Sequence, residues 1–142
     1  MSVQRVTPLE AKLLLDQGFA YLDVRSIPEY EQGHAPFAYN IPIMHFTPGR
    51  GMQPNGEFLE IVGKTFALDA KLVVGCKSGA RSLRAAELMA QAGYSQLVDM
   101  RGGFGGEFEM TGRCVVPGWA DAGLPVSTEP EAGRTYEELR AK

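Results

Sequence analysis

Cys76, Gly79 and Arg81 stand at C-x-x-G-x-R spacing within Lys71–Gly93, KLVVGCKSGARSLRAAELMAQAG. That spacing suits a nucleophilic sulfur held in an anion-binding loop. Lys77 and Arg81 place cationic charge beside the thiol, which favours the thiolate and makes the sulfur a nucleophile near neutral pH. Ser78, Gly79 and Ala80 are small, so consecutive amides can curl round the sulfur as a nest of N–H donors. The plain alternative is a small buried cysteine at a strand end, with no chemistry of its own. The coincidence of cysteine, cations, small residues and a helix start at one place favours the nucleophile.

The elements around the loop must hold it in that state. Leu72, Val73 and Val74 form the short apolar run of a strand covered on both faces, and Gly75 is expected to let the chain turn. From Ser82 the period changes: Leu83, Ala86, Leu88 and Met89 recur at helical spacing, and Gly93 sits where a terminating glycine belongs. The loop therefore ends at a helix N-terminus, whose first amides lack internal partners and carry the positive end of the dipole.

Upstream, Val3–Val6 is a strand candidate. Thr7, Pro8 and Glu10 make a capping box for a helix running to about Gln17 and stopping at Gly18, with Leu9, Leu13 and Leu14 as its apolar face. Phe19–Asp23 reads as a second buried strand. It ends at Asp23 and Arg25, a charged pair that either faces the Cys76 loop or fixes its geometry as a salt bridge, since the carboxyl ends of strands are where sites collect in open α/β sheets. Ser26 and Glu29 form a second capping box over a short helix closed by Gly33. His34 is expected to be a hydrogen-bonded structural histidine rather than a proton carrier. Ala38–Ile43, interrupted by Pro42, suits an edge strand. Thr47–Gly56, TPGRGMQPNG, reads as an irregular loop forming one wall of the site. Glu57–Phe66 reads as a helix, and Leu97–Met100 as the strand that follows the main helix.

With 142 residues, 44% of them hydrophobic, the chain is large enough for one domain with a real core and no need of disulfides or metal. A net charge of -3 and the absence of any lysine or arginine block argue against a nucleic-acid surface. No apolar run has the length of a signal peptide or membrane span, so a cytoplasmic protein is expected. Cys76 and Cys114 lie in unlike contexts and are not expected to pair. Histidines and cysteines at ligand spacing are too few for a structural zinc site, and no cofactor is called for.

Three blocks carry a resemblance: LDVRSIPEYEQGHAPFAYNIP, VVGCKSGARSLRAAELMAQAGY, and Gly102-Gly103-Phe104 with a later Trp119 and Gly123–Pro125. In these the chain resembles the rhodanese-fold sulfurtransferases, most of all single-domain bacterial and plant-type members with a C-x-x-G-x-R loop. The resemblance implies an α/β fold, a central mostly parallel sheet flanked by helices on both faces. It implies one rhodanese-like domain over 1–127, an insertion at about 104–118, and a charged tail over 128–142. Cys76 would accept sulfur, and the amides of Lys77, Ser78, Gly79, Ala80, Arg81 and Ser82 would cradle its persulfide. Arg81 would help hold an anionic donor such as thiosulfate, while Asp23 and Arg25 would form the structural pair behind the loop. Glutathione persulfide is an alternative donor; cyanide, a thiol or a protein thiol such as thioredoxin would be the acceptor.

The resemblance leaves two other readings open. One is a non-catalytic or sulfur-relay binding module of the same fold. The other is a phosphatase-like enzyme, but those use C-x5-R, whereas Cys76 and Arg81 give C-x4-R, a loop better sized for one sulfur atom than for a phosphate tetrahedron. Departures from the family pattern include Phe37, where glycine is common, and Glu29, where the two-domain enzymes carry an arginine near the donor.

The segment GGEFEMTGRCVVPG adds a flap containing Cys114, a candidate resolving thiol that would attack the Cys76 persulfide; a bystander cysteine is the expectation it competes with. Phe104, Phe108, Met110 and Trp119 are expected to pack the insertion onto the core. The tail, EPEAGRTYEELRAK, reads as a solvent-exposed helix capped by Thr135, or as disordered.

Overall fold

A computed structural model describes residues 3–142. In chain order its elements are β1 (Gln4–Val6), α1 (Pro8–Asp16), β2 (Ala20–Asp23), α2 (Ile27–Gln32), β3 (Tyr39–Asn40), β4 (Met44–Thr47), β5 (Gly51–Pro54), α3 (Phe58–Thr65), β6 (Lys71–Gly75), α4 (Ala80–Gln91), β7 (Gln96–Met100), β8 (Glu107–Phe108), β9 (Cys114–Val116) and α5 (Tyr136–Arg140). Five strands form a wholly parallel sheet in the order β1-β7-β6-β2-β3.

The central strand β6 shows why its sequence is apolar without alternation. Leu72, Val73 and Val74 are all fully buried, and their side chains alternate between two cores. Leu72 and Val74 meet Leu22, Phe58, Ile61, Ala86 and Met89 on the face covered by α3, α4 and α5. Val73 points to the other face, against Tyr21, Val98, Trp119 and Ala11 of α1. The fold class is thus the expected one: α/β, with helices on both faces of a parallel sheet.

Local signals place most element ends. Thr7 accepts from the Glu10 amide and Glu10 returns a bond to the Thr7 amide, the capping box that starts α1. The face of α1 differs from expectation, however. Leu9 and Leu13 are exposed, while Pro8 and Ala11 are buried and Leu14 and Leu15 pack behind them. The small Ala11 lets the helix lie close to the sheet, so the buried stripe follows Pro8, Ala11 and Leu15. The short β3 occupies the sheet edge, as Pro42 foretold.

The expected irregular loop at Thr47–Gly56 is instead mostly a hairpin. β4 and β5 pair antiparallel in register Met44↔Pro54 to Thr47↔Gly51. Pro48 and Gly49 supply the reversal, Gly49 at φ 83 and the Arg50 amide bonding the Thr47 carbonyl at 2.9 Å. Proline then glycine at the centre of a turn is the type II signature, so the residues that read as breakers define a tight connection.

The expected exposure of the terminal helix is also corrected. Thr135 does cap α5, accepting from the Glu138 amide, but Tyr136 and Leu139 are buried in the main core. The Tyr136 hydroxyl accepts from Asn55 Nδ2, and Arg140 pairs with Glu57 at the start of α3. His34 anchors the stretch leading there: its Nδ1 meets the Tyr30 carbonyl at 2.7 Å, its Nε2 meets Glu131 at 3.0 Å, and its ring stacks on Tyr30. The structural reading of His34 is therefore what the geometry gives. Phe37 adopts φ 68, a left-handed conformation that L side chains disfavour, in keeping with the glycine that the resemblance leads one to expect there.

Candidate active site

Cys76 follows directly on β6, and the loop after it is closed by Gly79, which caps α4 in a left-handed conformation. That backbone bends the Gly79 N–H onto the Cys76 sulfur at 3.0 Å. Glycine is required at this bend, where φ is 109 and a Cβ would also lie 3.0 Å from Arg5 Nη2. The turn expected at Gly75 is therefore made at Gly79. Gly75 ends β6, and its missing side chain admits the Tyr21 hydroxyl, 2.8 Å from where a Cβ would sit.

The sulfur is only 1% exposed and unpaired with any other cysteine. It lies at the start of α4, where the first-turn amides and the helix dipole favour negative charge. Lys77, Ser78 and Ala80 are exposed around it, so the loop is open to solvent on its outer side. Ser82 points inward, its hydroxyl 3.4 Å from Cys76 Sγ.

Behind Ser82 stand two residues that the sequence reading missed. The Ser82 hydroxyl donates to Asp99 Oδ1, and Asp99 Oδ2 accepts from Arg5 Nε at 2.7 Å. Arg5 also reaches the Gly79 carbonyl at 3.5 Å. Burial raises the Asp99 carboxyl above its ordinary range, an effect that Ser82 and Arg5 only partly offset. One signal was available: a carboxylate inside LVDM, at the carboxyl end of a strand, is costly unless partnered.

Arg81, with its side chain about 20% exposed, leans across the loop to α2. Its Nη1 and Nη2 donate to Glu29 Oε1 and Oε2 at 2.8 and 2.9 Å, a bidentate pair. Partial burial alone would raise the Glu29 carboxyl, but Arg81 together with Ser26 outweighs it and holds the group at about 2.

Asp23 and Arg25 meet at the carboxyl end of β2, next to Gly75 in register. Arg25 Nη2 donates to Asp23 Oδ2 at 2.8 Å and to the Gly33 carbonyl at 2.7 Å, and its guanidinium lies 4.3 Å from the Phe104 ring centre. Both are buried. The pair therefore joins β2, the turn after α2 and the Gly102-Gly103-Phe104 block.

That block backs onto the loop. Phe104 N–H donates to the Cys76 carbonyl and Gly105 N–H to the Lys77 carbonyl, each at 2.7 Å. A Cβ on Gly103 would fall 2.4 Å from the Cys76 carbonyl oxygen, so only glycine allows this approach. The segment expected to be an insertion forms the antiparallel pair β8–β9. Trp119 is buried and Phe104 packs on the core, but Phe108 and Met110 are exposed, contrary to the expectation for those two. Only the base of the hairpin is covered, where Val116 is buried beside Gly102. Cys114 lies on β9 with its side chain exposed.

Two clefts flank the loop. One, of about 260 Å³, is bordered by Lys77, Arg25, Glu29 and Phe104. The other, of about 530 Å³, runs between α4 and the β4–β5 region, largely apolar with Met44, Phe58 and Leu88 and with Arg81 and Arg84 at its margin.

The family model for the rhodanese-like domain matches residues 7–106. The chain is 39% identical over 124 residues to thiosulfate sulfurtransferase 18 of Arabidopsis thaliana, covering 86% of this chain and 82% of that protein. It is 33% identical over 140 residues to the mitochondrial protein HIGH ARSENIC CONTENT 1 of the same plant, covering 99% of this chain and 75% of the relative. The crystal structure of Rv0390 from M. tuberculosis superposes with a TM-score of 0.76 at 24% identity, covering 91% of this chain and all of the other, a likeness of fold. From the match over residues 7–106, which contain the Cys76 loop and the Asp23–Arg25 pair, it follows that this chain belongs to the rhodanese-like domain family.

Proposed function

We propose that the chain is a rhodanese-type sulfurtransferase that carries sulfane sulfur on Cys76. The observation that carries this reading is the Cys76 sulfur at the N-terminus of α4, with the Gly79 N–H directed at it from 3.0 Å. A donor amide and a helix dipole stabilise a thiolate, and then the anionic outer sulfur of a persulfide. In the first step the thiolate attacks the outer sulfur of thiosulfate. The new Cys76 S–S bond forms, the donor S–S bond breaks, and sulfite leaves with the bonding electrons. In the second step an acceptor thiolate or cyanide attacks the outer sulfur of the persulfide and regenerates the Cys76 thiolate. The amides of Lys77 through Ser82 cradle the persulfide, and Asp23 and Arg25 hold the loop from behind.

The identity of the donor turns on Arg81. Glu29 takes one N–H from each terminal nitrogen of Arg81, so the remaining N–H groups can still reach an anionic donor, but with the guanidinium charge already offset by the carboxylate. Lys77, exposed at the edge of the smaller cleft, is the freer cation. The larger apolar groove suits an acceptor with an organic or peptide body, a protein thiol such as that of thioredoxin among them. Two free cysteines fit a reducing compartment such as the cytoplasm.

Intact-protein mass spectrometry tests the reading. After exposure to thiosulfate or, separately, glutathione persulfide, the wild type is expected to gain one sulfur mass that is lost on reduction and absent from Cys76→Ser. No adduct from either donor, in folded protein with a free thiol, would overturn it. Turnover with a thiol acceptor is expected to survive Cys114→Ser; its loss would make Cys114 a resolving thiol.

A further inference from the structure

Cys76, Ser82 and Asp99 form a line of buried groups, 1%, 0% and 0% exposed. A proton leaving the sulfur inward therefore meets protein rather than water. Ser82 has a single proton, and of its two acceptors Asp99 Oδ1 is much nearer than the Gly79 carbonyl at 3.3 Å, so the carboxylate takes that proton. Its oxygen lone pairs are thus what it offers to the sulfur 3.4 Å away, so the thiol S–H donates to Ser82. Arg5 fixes the far oxygen of the carboxylate at 2.7 Å, which keeps Oδ1 turned toward the serine, and its second contact ties the same arrangement to the Gly79 carbonyl.

Resting on the reading of Cys76 as the nucleophile, we propose that Asp99, acting through the Ser82 hydroxyl, is the proton acceptor that converts the Cys76 thiol to thiolate. The S–H bond breaks and its proton passes to Ser82 Oγ, while the serine's own proton passes to Asp99 Oδ1. The products are a thiolate, an intact serine hydroxyl and a neutral carboxylic acid, with no change in net charge and no co-reactant. Ser82 then donates its hydroxyl to the sulfur anion, reversing the bond it makes in the resting state. The same route returns the proton once the sulfur has been passed on. Asp99 and Ser82 are positioning and proton-relay residues in this scheme, since neither needs to touch the donor.

The charged surroundings suit the transfer. Arg5 on β1 faces the carboxylate, and Glu87 on α4 opposes its ionisation from farther away. Around the sulfur are Arg81 on α4, Lys77 next in the chain, and Tyr21 on β2, with Asp23 and Arg25 beyond it. Burial, which raises the Asp99 carboxyl, makes it a better proton acceptor than an exposed carboxylate.

The test is the rate of Cys76 alkylation by iodoacetamide from about pH 5 to pH 8, in a Cys114→Ser background so that one thiol is read. A cysteine that loses its proton only to solvent slows about tenfold per pH unit below its titration. If Asp99 takes the proton internally, the wild-type rate levels to a pH-independent arm at the acid end, because thiolate paired with neutral carboxyl persists there. Asp99→Asn and Ser82→Ala are each expected to lose that arm and regain the tenfold-per-unit slope while still folded, though less stable. A wild-type rate that falls tenfold per unit throughout, or no alkylation at any pH, overturns the proposal whether or not the variants fold. So does an arm that survives in a folded Asp99→Asn. Alkylation needs no sulfur donor, so a wild type that shows the arm yet takes up no sulfur would leave the relay standing and remove the sulfurtransferase reading alone.

Discussion

The Arg81 guanidinium and the Glu29 carboxylate meet edge to edge, at 2.8 and 2.9 Å, across the gap between α4 and α2. The pair joins α4, which follows the Cys76 loop, to α2, and it offsets the charge of the arginine proposed to face an anionic donor. Glu29→Gln keeps the shape and removes the charge. The KM for thiosulfate is expected to fall about three- to tenfold as the Arg81 charge is no longer offset, and an unchanged KM would place Arg81 off the donor's path.

The same carboxylate gives a pH signature. Its folded value of about 2 lies below its usual 4.5, so the stability it contributes is complete above the unfolded value and is lost as pH falls through the folded one. Between those limits the wild type is expected to lose about 1–2 kcal/mol that Glu29→Gln does not, solvent screening keeping the figure below the full shift. Urea melts of both proteins along that acid window measure the difference.

Asp23 neutralises a buried guanidinium. Asp23→Asn leaves Arg25 with the Gly33 carbonyl and the Phe104 ring but no counter-charge, and a cost of about 3 kcal/mol is expected. The urea midpoint reads it, and a change of under about 0.5 kcal/mol would show that water reaches Arg25.

Gly103 is the tightest glycine behind the loop. In Gly103→Ala the new methyl meets the backbone of Cys76 and Lys77, at 2.4 Å from a carbonyl oxygen and 2.8 Å from a carbonyl carbon, and neither is a flexible side-chain end. Displacing the loop by about 1 Å is expected to lower sulfur-transfer kcat about 100-fold. Near-wild-type kcat would mean that the loop's position tolerates such a shift.

Phe37 holds a left-handed backbone while its side chain is largely exposed. Relief of that strain in Phe37→Gly exceeds the extra chain entropy of glycine, so a gain of about 0.5 kcal/mol is expected, whereas Phe37→Ala keeps the strain and gains nothing. Thermal melts of the two variants separate backbone strain from loss of the aromatic ring.

The amino-acid order alone determined what is local or periodic in this protein. Both capping boxes, the unbroken apolar run of β6, the switch to helical period after it and the cysteine placed between them are short-range facts, and each fixes an element or its end. Pro42 at an edge strand and Pro48-Gly49 at a reversal are of the same kind, although the second was legible as a breaker and not as the centre of a hairpin. Which side of α1 faces the sheet was only partly legible: Leu14 does pack inward, but Leu9 and Leu13 are exposed, and closeness of approach, set by Ala11, chose the stripe through Pro8, Ala11 and Leu15 instead. The terminal helix looked solvated for a related reason: its charged residues outnumber Tyr136 and Leu139, and only the apolar surface of α3 gives those two a place to be buried.

For the site, the loop that holds Cys76 was readable because strand, loop and helix are contiguous. Arg5, Asp99 and Glu29 were not readable as partners, for they come from β1, β7 and α2 and approach Gly79, Ser82 and Arg81 only when parallel strands align their carboxyl ends. A charge's role depends on what lies within a few ångströms of it in a poorly screened interior, and that neighbourhood exists only once the sheet order β1-β7-β6-β2 has been formed.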